Sequence, residues 1–423
     1  MVSIKVIQGY GEIGGNCIRI DDKDISILFD QGMRFPVFNR YYSQRVQPKG
    51  IPELRQLGVI PPVEAYQDIA TIYISHFHLD HLGLLAGIPV RTTVNLPSIE
   101  LFHVIERWYR LSPNWFAYIP PRYTTALQEV TPLEEDENNV MAIPVDHSSY
   151  PAYAYLYFGS DATVLYTGDL RITSILDRGL HKRLYPTTLL TFLNEENIHI
   201  DYLILEGTNL GSPLTPLTGK CLNDALSNLL EQEKPIVVAV HNQEIENILL
   251  VAKKAVEKGK ELVVVSNRLA DLLDFWKNRL EMLNTLKINV LSSIVETPHM
   301  NLEILDEISL EEKLNEYILI ADLWHIIDLL RTLDPYRIPP GSPAIMLTSE
   351  PRQEEAVYSE SLALRWLRQL NLQPYRLRIS GHYYPYQLKT LIKTIKPKNI
   401  IPVHTENPEL LYTQTNLYLK KST

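Results

Sequence analysis

Short apolar runs, each closed by glycine or charged residues, dominate the first part of the chain. Residues 4–8, 16–20 and 25–30 read as strands, separated by the glycine cluster Gly11, Gly14, Gly15 and the polar turn Asp21-Asp22-Lys23-Asp24. No suitable helix follows the glycines, so they read as tight turns and not as a phosphate-binding loop. Residues 33–68, rich in proline, arginine and tyrosine, show no period and read as a long surface loop. Further strands are expected at 70–75, 141–146, 162–167 and 199–205, and an amphipathic helix at 99–111. From about residue 210 the pattern changes to alternating helix and strand. Strands at 236–240, 262–266, 317–321 and 344–347 are interleaved with helices ending near 230 and spanning 244–258 and 269–279. That alternation predicts a parallel sheet with crossover helices, hence a second domain. The first style resumes with strands at 375–379 and 399–403 around a helix at 385–395. Pro-Pro-Gly-Ser-Pro at 339–343 reads as the return linker. The expected organisation is a catalytic domain in two pieces, 1–208 and 344–423, around an inserted domain at 209–343.

The polar residues that end these strands carry the chemistry. The run at 70–75 stops at His76-Phe77-His78-Leu79-Asp80-His81, after which helical spacing begins. His76 and His78, two apart on an extended segment, point to one side, while Asp80 and His81 stand where a helix starts and can face a second point. Four nitrogen and oxygen donors on one short loop suit two zinc-like cations better than one tetrahedral ion. The plain alternative is that some of these histidines cap a helix or fill a core. His147, Asp169, Glu206, His382 and His404 each follow a strand in the same way, so several strand ends can converge on one sheet edge. Asp30, also at a strand end, either buttresses such a site or caps a turn. Arg171, Arg178, Lys182 and Arg183 could form a basic rim or a solvated charged face. Residues 107–123 interleave arginines with six aromatic residues, which suits base stacking as well as plain packing or an oligomer contact.

Composition narrows the classes. A chain of 423 residues with 45% hydrophobic and 21% charged residues is an ordinary globular protein, long enough for two cores. There is no apolar span of membrane-crossing length and no signal-peptide layout at the N-terminus, so a cytoplasmic protein without a membrane partner is expected. Cys17 and Cys221 are the two cysteines, so a metal here would be held by nitrogen and oxygen. A net charge of −10 argues against indiscriminate attraction to nucleic acid but leaves room for the local field of bound cations.

His76-Phe77-His78-Leu79-Asp80-His81 resembles the HxHxDH signature of the metallo-β-lactamase fold, with Asp30, His147, Asp169 and His404 in that superfamily's order. The insertion, Glu206, Ser380-Gly381-His382 and Ile401-Pro402-Val403-His404-Thr405-Glu406 resemble the β-CASP branch, whose members are nucleases of the RNase J, cleavage-and-polyadenylation and Artemis types. The resemblance spans nearly the whole chain. It implies a four-layer αββα sandwich with an inserted β-CASP parallel α/β domain. It also implies two Zn2+ ions, with Mn2+ or Mg2+ as substitutes. His76, His78 and His147 would hold one, Asp80, His81 and His404 the other, and Asp169 would bridge. Glu206, His382 and His404 would be the branch's motifs A, B and C. A histidine at the last of these goes with RNA substrates, whereas DNA-acting members usually carry valine. The appended C-terminal domain of bacterial RNase J and the RNA-binding module of the archaeal cleavage factors have no counterpart, and His241-Asn242-Gln243 departs from the expected pattern.

The expectation is therefore a zinc-dependent ribonuclease, exo- or endonucleolytic, acting on single-stranded RNA in processing or decay, with a homodimer as one assembly. Asp80 and Asp169 are the catalytic carboxylates among the ligands. His382 would donate the leaving-group proton, held charged by Glu206, and Ser380, Gly381 and His382 would contact substrate. For His382 the other readings are metal ligand and phosphate binder. The rival functions are a DNA nuclease of the same branch, a small-ester or thioester hydrolase, and a non-catalytic RNA-binding subunit.

Overall fold

The computed structural model describes residues 1–43, 46–111, 123–213, 215–294, 301–322, 325–332, 338–348 and 357–420. Two compact units emerge. One comprises Met1–Thr173, Arg178–Thr215 and Gly381–Thr423, the other Ser174–Asp177 and Pro216–Ser380.

The first unit opens with β1 (Ser3–Gln8), β2 (Cys17–Asp22) and β3 (Ile25–Phe29), an antiparallel meander. It is extended by β4 (Thr71–Tyr73), β5 (Thr93–Leu96) and β6 (Ala126–Glu129) in parallel, giving a six-stranded sheet in sequential order. β7 (Val140–Pro144), β8 (Tyr153–Phe158), β9 (Thr163–Tyr166) and β10 (Tyr202–Glu206) begin a second sheet.

In the other unit β11 (Ile236–Val240), β12 (Glu261–Val264), β13 (Ile288–Leu291), β14 (Glu303–Leu305), β15 (Tyr317–Asp322), β16 (Pro343–Thr348) and β17 (Gln373–Arg378) form a seven-stranded sheet. Its order is β14-β13-β12-β15-β11-β16-β17, parallel at every pairing. Thr218 and Ser266 cap the helices Gly219–Leu230 and Asn267–Lys277, accepting from the main-chain N–H groups of Cys221 and Leu269. The chain then returns, and β18 (Asn399–Val403) lies parallel to β10, completing the order β18-β10-β9-β8-β7.

In the first unit the inner faces of the two sheets pack together. Ile18, Ile20, Ile27, Phe29 and Tyr73 meet Tyr155, Tyr157, Tyr166 and Val403. The Phe29 ring stacks on Tyr155 and Tyr166 with centroids 5.5 and 5.6 Å away. Buried side chains of this size contribute roughly 1.5–3 kcal/mol each. The outer face of the second sheet is covered by helices Leu189–Glu196, Leu388–Ile395 and Pro408–Lys420, and helix Ile99–Leu111 packs on β6. The layer order is αββα, and the other unit is the expected parallel α/β domain.

Four expectations are corrected. β16 and β17 pair in the seven-stranded sheet, so the return falls at Gly381 and not at residue 344. The Pro-Pro-Gly-Ser-Pro run is a turn into β16, whose first residue is Pro343, a position where the missing N–H costs little. Residues 33–68 are not structureless. Helices Phe35–Tyr41 and Ile51–Gln56 form there, each with proline in its first turn, where no N–H is required. The helix expected after the histidine cluster is the single turn Leu79–Leu82, ended by Gly83 at φ +59°. Of the aromatic stretch 107–123, residues 112–122 lie outside the described residues, and Trp108 is buried.

Candidate metal centre

The donors expected from the sequence sit at or just past the carboxyl ends of strands. β3 delivers Asp30, β4 delivers His76 to His81, β7 delivers His147, β9 delivers Asp169, β10 delivers Glu206 and β18 delivers His404. The pairings β3 with β4, β9 with β10 and β10 with β18 are parallel, so these ends lie at common edges. The turn carrying His76 to His81 is held through its backbone. Asn16 N–H donates to the Asp80 carbonyl at 3.0 Å, Gln31 N–H to that of His81 at 3.0 Å, and Met33 N–H to that of Leu79 at 2.9 Å. The bonds to Asp80 and His81 satisfy carbonyls that a one-turn helix leaves open, and the Leu79 carbonyl accepts from Met33 as well as from the Gly83 N–H that closes the turn. Two glycines permit the approach. A Cβ at Gly32 would lie 1.7 Å from the Asp80 carbonyl oxygen, and one at Gly14 (φ +81°) would lie 2.5 Å from Oδ2 of Asp80. The expected tight turn at Gly14 is thus also a place where backbone passes over a carboxylate.

The donors gather in two sets. Nδ1 of His78 lies 3.1 Å from Nε2 of His76 and 3.3 Å from Nε2 of His147. Oδ2 of Asp80 lies 3.1 Å from Nε2 of His404 and 3.9 Å from Nε2 of His81. Oδ2 of Asp169 stands between, 3.9 Å from Nε2 of His76, 3.0 Å from that of His81, 4.0 Å from that of His147 and 3.5 Å from that of His404. Each of these side chains is buried.

Hydrogen bonds behind the rings decide which nitrogens are bare. The Gly381 carbonyl, 2.8 Å from Nδ1 of His147, can only accept, so His147 carries its proton there and turns a lone pair at Nε2 inward. Asp30 does the same for His81, its Oδ2 lying 2.8 Å from Nδ1. Asp30 also accepts from the Ser75 N–H at 2.7 Å, the Ser75 hydroxyl at 2.8 Å and the Tyr166 hydroxyl at 2.5 Å, and Asn16 donates to that tyrosine at 3.0 Å. Of the two readings left open for Asp30, the buttress is the one found. Since the Ser75 hydroxyl donates to Asp30, it accepts from Nδ1 of His76, 3.0 Å away.

Electrostatics follow the geometry. Burial and the neighbouring rings of His81, His147 and His78 hold His76 neutral well below the usual histidine range, the form that coordinates a cation. At His81 burial opposes charge, but Asp169, Asp80 and Asp30 outweigh it and push the ring well above its usual value, so positive charge is favoured at that point. Burial would raise Asp169 and Asp80, yet the imidazoles, His404 and His81 foremost, draw Asp169 well below the usual carboxylate range and Asp80 below it.

Glu206 and His382 lie beside this cluster, with Oε1 of Glu206 3.2 Å from Nδ1 of His382, which is 3.9 Å from Oδ2 of Asp169. Ser380 and Gly381 are buried next to His382 in sequence. Arg171 is not part of a basic rim. It is buried and paired at 2.7 Å with Asp146, next to His147, because Asp146 needs a partner once out of water. Ser75, Tyr166 and Thr208 also contact the side chains of this site, through their hydroxyls. A hydroxyl beside a strand end carries no signal of its own in one sequence.

The donor chemistry fits divalent cations. Oδ1 of Asp80 and Oδ1 of Asp169 are buried and lack a hydrogen-bond partner among the described residues, and imidazole and carboxylate suit zinc-like ions. Groups able to hold a metal include His76, His78 and His147, then Asp80, His81 and His404, and also Glu206, His382 and His404.

The metallo-beta-lactamase superfamily model matches residues 10–226, just over half of the chain. The chain belongs to that superfamily. A second model, the Zn-dependent metallo-hydrolase RNA specificity domain, matches residues 367–420, which include His382 and His404. Within the superfamily, Ribonuclease J of Pyrococcus abyssi is 21% identical to this chain, the match covering 96% of it and 90% of the relative. Ribonuclease J of Mycolicibacterium smegmatis is 21% identical over 95% of this chain and 68% of its own, and Ribonuclease J2 of Bacillus subtilis 22% over 96% and 69%. Among solved structures, a protein of unknown function from Enterococcus faecalis V583 shares the fold, with a TM-score of 0.71, 20% identity and coverage of 97% and 95%. No helix among the described residues is long and apolar enough to cross a membrane.

Proposed function

We propose that this chain is a zinc-dependent ribonuclease of the β-CASP type, hydrolysing phosphodiester bonds of single-stranded RNA. The observation that carries the reading is the Asp169 carboxylate, within 4.0 Å of ring nitrogens from His76, His81, His147 and His404. The RNA specificity model over residues 367–420 and three relatives named as ribonucleases J support RNA as substrate.

In this reading His76, His78 and His147 would hold one zinc ion and Asp80, His81 and His404 the other, with Asp169 placed to serve either set. When bound, the two ions neutralise phosphate charge and acidify a water near neutral pH. The chain's own residues do the rest. Asp30, Ser75 and the Gly381 carbonyl fix the tautomers of His81, His76 and His147. Glu206 holds the Nδ1 proton of His382 and so fixes its ring, and His382 gives a proton to the departing 3′ oxygen. Ser380 and Gly381 position the strand beside it.

RNA labelled separately at its two ends, incubated with the protein with and without chelator beside a matched DNA oligonucleotide, tests this. RNA shortening that chelator abolishes and zinc restores is the expected result, and the labelled end that survives gives the polarity. Cleavage of DNA alone would move the chain to the DNA-acting members. Turnover of a chromogenic lactone or thioester with RNA left whole would make it an ester hydrolase.

A further inference from the structure

The hydroxyl of Thr208 touches three functional side chains at once. Its Oγ1 lies 2.8 Å from Oε2 of Glu206, 2.8 Å from Nδ1 of His404 and 3.1 Å from Nδ1 of His382. The Thr208 N–H also donates to the same Glu206 oxygen at 2.9 Å, and all four residues are buried. A hydroxyl has one proton to give and two lone pairs to receive with. Oε2 of Glu206 accepts from both the Thr208 N–H and the Thr208 hydroxyl, so the threonine proton is committed to it. Both imidazoles must then donate to Oγ1, which places their protons at Nδ1. His404 is left with a bare Nε2 facing Oδ2 of Asp80 at 3.1 Å and Oδ2 of Asp169 at 3.5 Å, three acceptors that only a cation or a proton can reconcile. His382 receives a fixed ring orientation, its Nδ1 proton shared between Thr208 and Oε1 of Glu206 at 3.2 Å.

We infer that Thr208 is a positioning residue: its single hydroxyl sets the tautomer of the ligand His404 and the orientation of the proton donor His382 together. The inference rests on the ribonuclease reading for its catalytic half and on the donor geometry alone for its metal half. A valine there keeps the β-branched shape that the strand end accommodates and removes the hydroxyl that receives from Nδ1 of both rings. A serine keeps that group and removes one methyl.

The test compares wild type, Thr208→Val, Thr208→Ala and Thr208→Ser, each loaded with zinc. Chelator competition should show one of two bound ions released about 10–100-fold more readily from the valine and alanine variants. Single-turnover RNA cleavage should fall by about 10²-fold or more in both with KM little changed, and serine should restore both quantities to within a few-fold of wild type. Two ions held as tightly in valine and alanine as in wild type would overturn the inference, as would serine behaving like valine. A wild type that cuts no RNA would defeat the ribonuclease reading, while the metal comparison would still decide whether Thr208 orients His404.

Discussion

Oδ2 of Asp30 lies 2.8 Å from Nδ1 of His81, and neither side chain is reached by solvent. This carboxylate sits behind the ring and not at its coordinating nitrogen, so its effect on a cation is relayed through His81. Asp30 has φ +58°, a conformation that asparagine also tolerates. Asp30→Asn therefore removes charge with little backbone cost. Zinc affinity is expected to fall about 10–100-fold. Chelator titration measures it, and unchanged affinity would show that the carboxylate is merely structural.

His382 separates acid catalysis from metal binding. His382→Ala is expected to lower RNA cleavage by about 10²–10⁴-fold while zinc content stays at the wild-type level. Zinc loss measured on the purified variant would instead make His382 a ligand.

Gly32 and Gly14 approach the same residue by different atoms. At Gly32 a new Cβ meets the Asp80 main-chain carbonyl at 1.7 Å, and backbone must move. Gly32→Ala should cost several kcal/mol, on the order of the largest single-residue effects, and show as loss of soluble protein or a melting point lowered by many degrees. At Gly14 the obstacle is the Asp80 carboxylate itself. Gly14→Ala should displace that carboxylate and weaken zinc binding with a smaller drop in melting temperature. Equal effects of the two on melting would contradict the distinction.

Asp322 and His325 in the parallel α/β unit give a pH signature away from the metal centre. Nδ1 of His325 lies 2.8 Å from Oδ2 of the buried Asp322, which Ser266 also donates to. Burial would raise the Asp322 carboxyl, but His325, Arg268 and Ser266 hold it well below its ordinary 3.8. Burial would lower His325, but Asp322 raises it above its ordinary 6.5. The depressed carboxylate contributes stability that is present above pH 3.8 and lost as pH falls through its lower folded value. The raised imidazole contributes stability that is full below pH 6.5 and lost as pH climbs through its higher folded value. Thermal melts should show the pair's stabilisation greatest between these limits, and Asp322→Asn should flatten the loss on the alkaline side. An alkaline limb unchanged in that variant would remove the pair as its cause.

Much of the centre is legible because metal donors must sit where a strand stops. His76, His147, Asp169, Glu206 and His404 each stand within three residues of the end of an apolar run, and that abrupt change survives in one sequence. Buried hydroxyls do not announce themselves in that way: Ser75 and Thr208 matter through which neighbour takes their proton, a property of three dimensions. Proline misleads in two directions. Pro36 and Pro52 open helices where a breaker would be read, and Pro343 opens a strand where a linker would be read. The strand β8 (YAYLYF), buried on both faces, lacks the alternation that marks a half-exposed strand.

The pairing of β10 with β18 has a consequence for synthesis. Tyr202 lies beside Asn399, and the seven-strand unit is translated in between. A ribosome-bound chain can present His76, His78 and His147 long before His404 leaves the exit tunnel, and a contact so distant in sequence forms slowly. On the proposed ligand set the second group of donors is therefore completed only when the last strand has been made and paired.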